Sequence, residues 1–542
     1  MTRRAGRVGR VVSAVAVVGV LAGVTVAGST LERGAVVEAG LSAVVVPATA
    51  TTLVCPGPVA LPDDGGVSDD AFDPRPVDAQ STLRVATATR AADGADDPDD
   101  PDGTDGGAAP LSLGPLAGAA PLLELPGGGG AQAGALSTLP GPTVLRAEPV
   151  DDVAPVTGGA SASVVTQGDL RGLSAGSCQA PSADIWLVGG STEIGSSALL
   201  VVTNPGRTPA EVSLDLWGPS GPLEGTGASL LVAPGAERAL LLEGVAAEQR
   251  RVVVHATAAG GLVTAHLQDS RLNGFTPAGV DLVTAGAAPA SRQVIGGLLV
   301  PASEAGAEDT ALVRMLAPGA EPARAALTLL GPDGPVTLPG AERVDLGPGE
   351  VTDVSLAGLP AGSYTAVVES DTAVVAGAML TRQGPPLELD DIPTLDRAWA
   401  AAGSGAGDAL VALPPGVGAT LLLGSVAPPG ASADGDGGRA TGVLRAIGAD
   451  GRVLVEEPVS VPAGTTLPVV VGPGGVGGEA EVAAVQVVPD DDVSERGPAL
   501  AAWVVVTAAV ADQGLVSVLT PVPGAQPQPT VTVGEGSRIG LP

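Results

Sequence analysis

Two histidines, one Gly-x-Ser-x-Gly pentapeptide and two cysteines are the residues whose type and spacing could do chemistry in this 542-residue chain. His255 lies in Val252–Ala258 and His266 in Leu262–Gln268, with Gly260-Gly261 between them. A Gly-Gly pair between alternating apolar runs signals a two-residue hairpin. That loop would set the two imidazoles directly opposite one another. The faces agree with this register: Val254, Ala256, Val263, Ala265 and Leu267 fall on one side, His255, Thr257, Thr264 and His266 on the other. A slip of one residue would scramble both. Two adjacent imidazoles begin a metal site, but a third or fourth ligand is needed, and the neighbouring sequence offers none. His255 and His266 are therefore weak metal candidates, and a solvent-facing cross-strand pair is the simpler reading. No metal and no other cofactor is expected.

Gly172-Leu173-Ser174-Ala175-Gly176 fits the nucleophile-elbow pattern of serine hydrolases. In a chain this rich in glycine, roughly 0.7 such matches arise by accident. The elbow also needs a buried strand before the serine and a helix after it. Here Asp169 and Arg171 precede it and Ser177-Cys178-Gln179-Ala180-Pro181 follows. No catalytic residue is assigned. Carboxylates are plentiful, but Asp96–Asp105 and Asp490–Asp492 lack the spacing of a defined calcium loop and read as solvated charge. Trp186, Trp217, Trp399 and Trp503 read as fillers of cores or domain junctions. There is no phosphate-binding loop and no dinucleotide fingerprint.

The cysteines belong with the N-terminus. Arg3, Arg4, Arg7 and Arg10 precede an uncharged stretch, Val11–Thr30, rich in Val, Ala, Gly and Leu. A positive flank followed by an apolar run is the export pattern. About 20 apolar residues span a bilayer as a helix, which favours a retained anchor over a cleaved signal peptide. The rest of the chain is then expected outside the cytoplasm. An even cysteine count in an exported chain predicts a Cys55–Cys178 disulfide. Two separate buried thiols are the alternative that a cytosolic chain would require.

Composition bounds the partners. All 26 basic residues are Arg, against 59 acidic ones, for a net charge of −33. Nucleic-acid binding needs clustered cations and aromatic platforms, and only seven residues are Trp, Phe or Tyr. A nucleic-acid partner is excluded on both counts. The joint scarcity of Lys, Asn, Ile, Phe and Tyr points to a high-GC bacterial genome. Between Leu61 and Pro110 acidic residues dominate, and Pro110–Pro142 is rich in Gly and Pro. Both stretches read as loops or linker.

From Ile185 onward short Val/Leu/Ala runs alternate with Gly/Pro turns in a repeat. Unit one has Ala198–Val202, Ala210–Leu216, a Gly218–Gly221 turn, Leu230–Val232, Pro234-Gly235 and Val252–Leu267. Unit two repeats the order with Thr310–Leu316, Ala323–Leu330, Gly331–Gly334, Val344–Leu346, Pro348-Gly349 and Ser363–Leu380. Unit three follows with Ala419–Ser425, Thr441–Ile447, Gly448–Gly451, Val459–Val461, Ala463-Gly464 and Val482–Val506. The spacing predicts an all-β chain of tandem immunoglobulin-like β-sandwiches. The expected divisions are a signal segment (1–30), a low-complexity acidic and Gly/Pro-rich region with a few strands (31–183), and units one (184–290), two (291–390) and three (391–525). A disordered tail (526–542) ends the chain. Thr394–Ala402 has good helix formers and reads as a short inter-domain helix.

Cys-Pro-Gly-Pro at Cys55–Pro58, Ile185–Gly190 after the second cysteine, and Leu200–Pro205 leading into the repeat carry a resemblance. The chain resembles a family of large exported, membrane-anchored actinobacterial proteins with a domain of unknown function. The resemblance implies an exported location and supports the cysteine pairing; it brings no activity. The expected function is that of a non-enzymatic extracytoplasmic envelope protein. It would be anchored in the membrane and would bind an envelope polymer or another exported protein. The alternatives are an exported cell-wall hydrolase, which needs converging acids in a pocket, and a carbohydrate- or calcium-dependent adhesion module, which needs exposed Trp or clustered acidic loops.

Overall fold

A computed structural model describes residues 41–45, 47–61, 79–89, 108–118, 120–150, 155–223, 229–386, 392–403, 408–428, 438–490, 497–508, 514–523 and 530–534. The signal segment lies outside these residues. No helix among them is long and apolar enough to cross a membrane. Strands are numbered β1 to β37 in chain order. They form because Val, Leu and Ala alternate with polar residues at period two, which buries one face. Ala210–Gly218 is typical, with Ala210, Val212, Leu214 and Leu216 buried and Glu211, Ser213 and Asp215 exposed.

Two compact parts are distinguished, Ala48–Gln526 and the paired terminal regions. In the latter, β1 (Leu41–Val45) pairs antiparallel with β37 (Thr530–Gly534). Residues 530–534 of the expected disordered tail are therefore a strand.

Ala48–Gln526 contains four sandwiches. The first has β2 (Thr51–Cys55), β3 (Gln80–Ala88), β4 (Leu111–Pro115), β5 (Leu123–Leu125), β6 (Ala131–Leu136), β7 (Thr143–Ala147), β8 (Val156–Val165) and β9 (Gly172–Ser177). The second, unit one of the repeat, has β10 (Asp184–Val188), β11 (Ser196–Asn204), β12 (Ala210–Gly218), the short β13 (Gly221–Pro222), β14 (Ser229–Val232), β15 (Ala236–Leu241), β16 (Val253–Ala259), β17 (Thr264–Asn273) and β18 (Thr276–Val283). The third has β19 (Ala290–Val300), β20 (Leu312–Leu316), β21 (Ala323–Gly331), β22 (Gly334–Thr337), β23 (Val344–Leu346), β24 (Thr352–Ser355), β25 (Gly362–Pro386) and β26 (Pro393–Ala401). The fourth has β27 (Ala409–Ala412), β28 (Val417–Val426), β29 (Arg439–Gly448), β30 (Val453–Pro462), β31 (Thr466–Gly472), β32 (Val476–Gly477), β33 (Val482–Pro489), β34 (Ala499–Ala508), β35 (Val516–Leu519) and β36 (Val522–Pro523).

One topology recurs four times. In the first sandwich β2-β7-β4-β5 faces β6-β3-β8-β9. In the second, β10-β16-β12 faces β15-β11-β17-β18, and the other two follow the same plan. Relative to an immunoglobulin domain, with strands ABED in one sheet and CFG in the other, the first and seventh strands have exchanged sheets. The turns that mark the repeat are held by glycine at positive φ: Gly235 (64°), Gly349 (70°) and Gly464 (73°) close equivalent turns, where a side chain would be strained.

The exchange overturns the expected hairpin. β16 pairs with β10 and β12, whereas β17 pairs with β11 and β18, in the opposite sheet. Gly260-Gly261 is thus an arch from one layer to the other, with Gly260 at φ 84° and the Thr208 hydroxyl donating to its carbonyl at 2.7 Å. The apolar face was read correctly. Val254, Ala256, Val263, Ala265 and Leu267 do share one core, but they meet across it instead of side by side. Period-two alternation is the same for a hairpin and an arch, so it does not choose between them. In the third sandwich the arch is continuous strand: Ser363–Ser370 of β25 pairs with β19 and β21, and Val375–Pro386 with β20 and β26.

Two further expectations are corrected. Strands β2 to β9, within the region read as low-complexity with a few strands, form a complete sandwich with its own core of Leu53, Leu83, Val85, Leu113 and Leu145. The repeat is hidden there because long segments separate β2 from β3 and β3 from β4. The acidic run Asp96–Asp105 is in the second of these connections, so it is an insertion between two strands of a sandwich and not a spacer ahead of all of them. Thr394–Ala402, read as a helix, lies almost entirely in strand β26. Pairing with β25 along Gly377–Pro386 outweighs its local helix propensity.

All four Trp are buried, at 6, 9, 4 and 1% exposure for Trp186, Trp217, Trp399 and Trp503. Trp503, on β34 of the fourth sandwich, packs into the core cluster of the third. An added Cβ at Gly296 would collide with its ring. Trp503→Ala is expected to destabilise the protein by about 3–5 kcal/mol, read as a lower midpoint in denaturant titration. A loss under about 1 kcal/mol would mean that this junction carries little of the stability.

Candidate functional site

Strands β9, β18 and β26, the last of the first three sandwiches, and β35 of the fourth are each the edge of a sheet. They pack on one another in a closed ring, β9 on β18, β18 on β26, β26 on β35 and β35 on β9. A sheet edge carries unpaired backbone N–H groups, and burying them without acceptors costs about 1–3 kcal/mol each. Two carboxylates supply the acceptors. Asp396 Oδ2 accepts from Leu173 N at 3.0 Å and Val516 N at 2.8 Å. Asp281 accepts from Trp399 N at 2.6 Å, from Ala175 N at 3.4 Å and from the Ser517 hydroxyl at 2.6 Å. Each carboxylate therefore stitches strands of different sandwiches together. Burial pushes Asp396 up to about 7, opposed by its backbone hydrogen bonds and by Arg171. Burial likewise holds Asp281 well above the usual carboxylate range, against the Ser517 hydroxyl and backbone donors.

This hub accounts for the Gly-x-Ser-x-Gly pentapeptide. Residues 172–176 are strand β9 itself, fully buried. A Cβ on Gly172 would meet Asp396 Oδ1 at 2.7 Å and Val280 at 2.8 Å. Small residues are needed there for strands to approach. Ser174 is 2% exposed and its hydroxyl has no hydrogen-bond partner among the described residues. No imidazole accompanies it, because both histidines lie in the second sandwich on β16 and β17.

The histidines are separated by the arch and do not form a pair. His255 stacks on Trp186 at a centroid distance of 4.0 Å, and Trp186 stacks on Trp217 at 5.4 Å. Its Nε2 lies 3.0 Å from Asp184 Oδ1 and its Nδ1 3.7 Å from Asp215 Oδ2. Trp186 and Trp217 also pack on Leu316, Val351 and Val375 of the third sandwich, so this aromatic group is a junction. Desolvation pushes the His266 imidazole down to about 4, although the residue as a whole keeps part of its surface exposed. Among the described residues no group of three or more His, Cys, Asp or Glu is arranged to hold a metal.

Cys55 and Cys178 form a disulfide with Cα atoms 4.0 Å apart. It joins the first strand of the first sandwich to the end of its eighth, beside the backbone bridge between Val54 and Gln179. Both sulfurs are buried, at 0 and 1% residue exposure.

Two concavities open at the junctions. The larger, about 590 Å³, is lined from all four sandwiches, including Ser177, Ala285, Ala402 and Thr520 at or just beyond the C-terminal ends of β9, β18, β26 and β35. Leu53, Ile185, Leu500 and Val522 make its walls largely apolar, and Cys178 and Trp503 also line it. The smaller, about 370 Å³, lies between the second and third sandwiches. Arg250, Arg251, Arg271, Arg314 and Arg397 line it with Asp269, Glu308, Asp309 and Asp353. Arg314 binds Asp353 with both forks, at 2.8 and 3.1 Å, donates to Gly190 O at 2.6 Å and stands 5.1 Å over the Trp399 ring. Asp269 Oδ2 accepts from the Trp399 indole at 2.8 Å, and burial raises its pKa against Arg397.

Sequence reasoning missed the hub and the arginine cleft. A signal for the hub was present: Asp281 interrupts the apolar run Ala278–Val283, and Asp396 sits between Leu395 and the Ala398–Ala402 run. A lone charge inside a buried strand must be paired or neutral.

Fold and junctions define an all-β protein of four tandem sandwiches fused through a common polar centre. The chain belongs to a family of unknown function (DUF5719), whose sequence profile matches residues 134–472. That span begins within β6 of the first sandwich and ends with β31 of the fourth. No curated protein matches the chain.

Proposed function

We propose that this protein is a non-enzymatic extracytoplasmic envelope protein, anchored by Val11–Thr30, that works as a rigid binding and scaffolding block. The observation that carries the reading is the hub. Four sandwiches share one buried centre, so they present fixed clefts at their junctions instead of moving as independent beads. The buried disulfide supports an oxidising compartment. The partner is an envelope polymer or another exported protein.

A cell-wall hydrolase is the second reading, because four carboxyl groups converge in the cleft between the second and third sandwiches. Two of them are already engaged. Asp353 is neutralised by Arg314 and lies 3.3 Å from Arg251, and Asp269 is enclosed against Trp399. A general acid or base must reach its substrate proton, so binding is the better reading of this cleft. Sugar stacking on an exposed sheet face is set aside, since all four Trp are buried. The acidic run Asp96–Asp105 of a calcium-dependent adhesion module lies outside the described residues, as do Asp491 and Asp492.

Fractionation of cells expressing the tagged full-length chain tests the proposal. The expected result is recovery with the membrane, digestion by protease added outside the cytoplasm, and thiol labelling only after reduction. A cytoplasmic chain with two free thiols would overturn it. Affinity capture from envelope fractions is then expected to yield one defined glycan or exported protein.

A further inference from the structure

Arg397, on β26, is nearly enclosed, with a side chain 5% exposed. A guanidinium has five N–H donors, and one buried this deeply is ordinarily saturated. Arg314, equally buried in the same cleft, nearly is: a carboxylate takes two of its five donors and backbone carbonyls take two more. Arg397 is not. Among the described residues its side chain makes no hydrogen bond. Its ionic contact with Asp309 Oδ1 is 3.7 Å long, and its buried Nε has no partner. Its remaining nitrogens are left to the cleft that it lines.

The surroundings match a single negative charge. Five of the chain's 26 arginines line this one cleft of 17 residues, in a protein of net charge −33. Five guanidiniums stand against four lining carboxyls, and Glu193 beside them pairs with Arg271 at 3.1 Å and Arg250 at 3.8 Å, so the buried cation left without a hydrogen-bonded carboxylate among the described residues is Arg397 alone. One guanidinium suits one carboxylate; a dianion such as phosphate brings a second charge that Asp309 and Glu308 repel. At the mouth, Arg271 is held by Glu193, whereas Arg250, 3.8 Å from the same carboxylate, has an 81% exposed side chain placed to meet an arriving anion. Ser191, Thr310 and Ser355 add hydroxyls along the wall, and Met379 and Trp399 an apolar one.

We infer that this cleft binds a small monocarboxylate, whose carboxylate takes the free donors of Arg397 while its neutral remainder lies along the hydroxyl-bearing wall. A sugar acid and a short peptide C-terminus share this chemistry. The inference rests on the cleft and not on the envelope location proposed above, so either can fail alone.

Calorimetric titration of the purified full-length chain tests it, with glucuronate and N-acetyl-alanyl-alanine as probes and glucose, N-acetyl-alanyl-alaninamide and inorganic phosphate as controls. At least one carboxylate is expected to bind saturably, and its uncharged counterpart not at all; which of the two binds identifies the source. Arg397→Gln is expected to weaken binding on the order of tenfold or more, the loss of charge-assisted hydrogen bonds. Arg250→Ala, on the exposed rim, leaves the fold intact and is expected to weaken binding about two- to fivefold with a shallower salt dependence. If Arg397→Gln does not fold, the Arg250→Ala result decides. Binding of neither carboxylate overturns the inference. So does phosphate binding as tightly as the carboxylates, or an affinity indifferent to the substitutions that fold.

Discussion

Asp396→Asn is expected to stabilise the protein at pH 8 and to leave it nearly unchanged at pH 4. The folded protein holds the Asp396 proton up to a pKa of about 7, against an ordinary value of 3.8. Between those values the folded state binds more protons than the unfolded one, so stability falls as pH rises. The contribution is fully present below about pH 4 and lost as pH passes through 7. The span corresponds to about 4 kcal/mol as an order of magnitude. Asn cannot ionise, yet its carbonyl can still accept from Leu173 N and Val516 N. The stability of the variant relative to the parent should therefore climb between pH 4 and pH 8 in denaturant titrations. Comparison with the parent is essential, because His266 works in the opposite sense. Its folded pKa of about 4 is below the ordinary 6.5, so its contribution is present above 6.5 and lost as pH falls through 4. A pH-independent difference between parent and variant would show that Asp396 stays ionised in the hub. Asp396→Ala, which also removes the acceptor, should cost about 2–5 kcal/mol at pH 4, and the cost should shrink as the pH rises through 7.

Loss of the disulfide should have an effect of similar size. The bridge spans 123 positions. The chain-entropy model assigns about 4–5 kcal/mol to a loop of that length as an upper guide, and native bridges commonly contribute about 2–5 kcal/mol. Cys55→Ala with Cys178→Ala should lower the denaturation midpoint accordingly, with the first sandwich melting before the other three. Hydrogen exchange distinguishes local from global loss: β2 and β9 should lose protection first. Uniform loss across all four sandwiches would mean that the bridge secures the hub as a whole. Because both sulfurs are buried, reducing agent should act on the native protein only slowly.

Much of the architecture is legible residue by residue. Val344–Leu346, predicted from the repeat, is strand β23 to the residue. The Gly-bearing turns fall where Pro234-Gly235, Pro348-Gly349 and Ala463-Gly464 place them, because positive φ is a local property of the chain. The inward residues of β16 and β17 are also correct, because alternation is local. The partner of β17 is not. It depends on which layer has a free strand edge, and neither Gly260 nor Gly261 encodes that. The first sandwich escaped for a related reason: its strands are separated by long connections, and only closure of the sheets restores their adjacency.

The candidate sites show the same division. Two Cys in an export-type chain were enough to pair Cys55 with Cys178, since no other thiol competes. Asp281, Asp396 and Arg397 carried no pattern of their own, being single charges within apolar strands of separate repeats. Composition and period two determined the strands, turns and cysteine pairing, all of which rest on neighbours in the chain or on a unique partner. The tertiary structure decided the arch, the hub and the arginine cleft. Four sheet edges converging at one place leave N–H groups from distant segments in need of acceptors, and the packing of two sandwiches leaves one buried guanidinium without a hydrogen bond among the described residues.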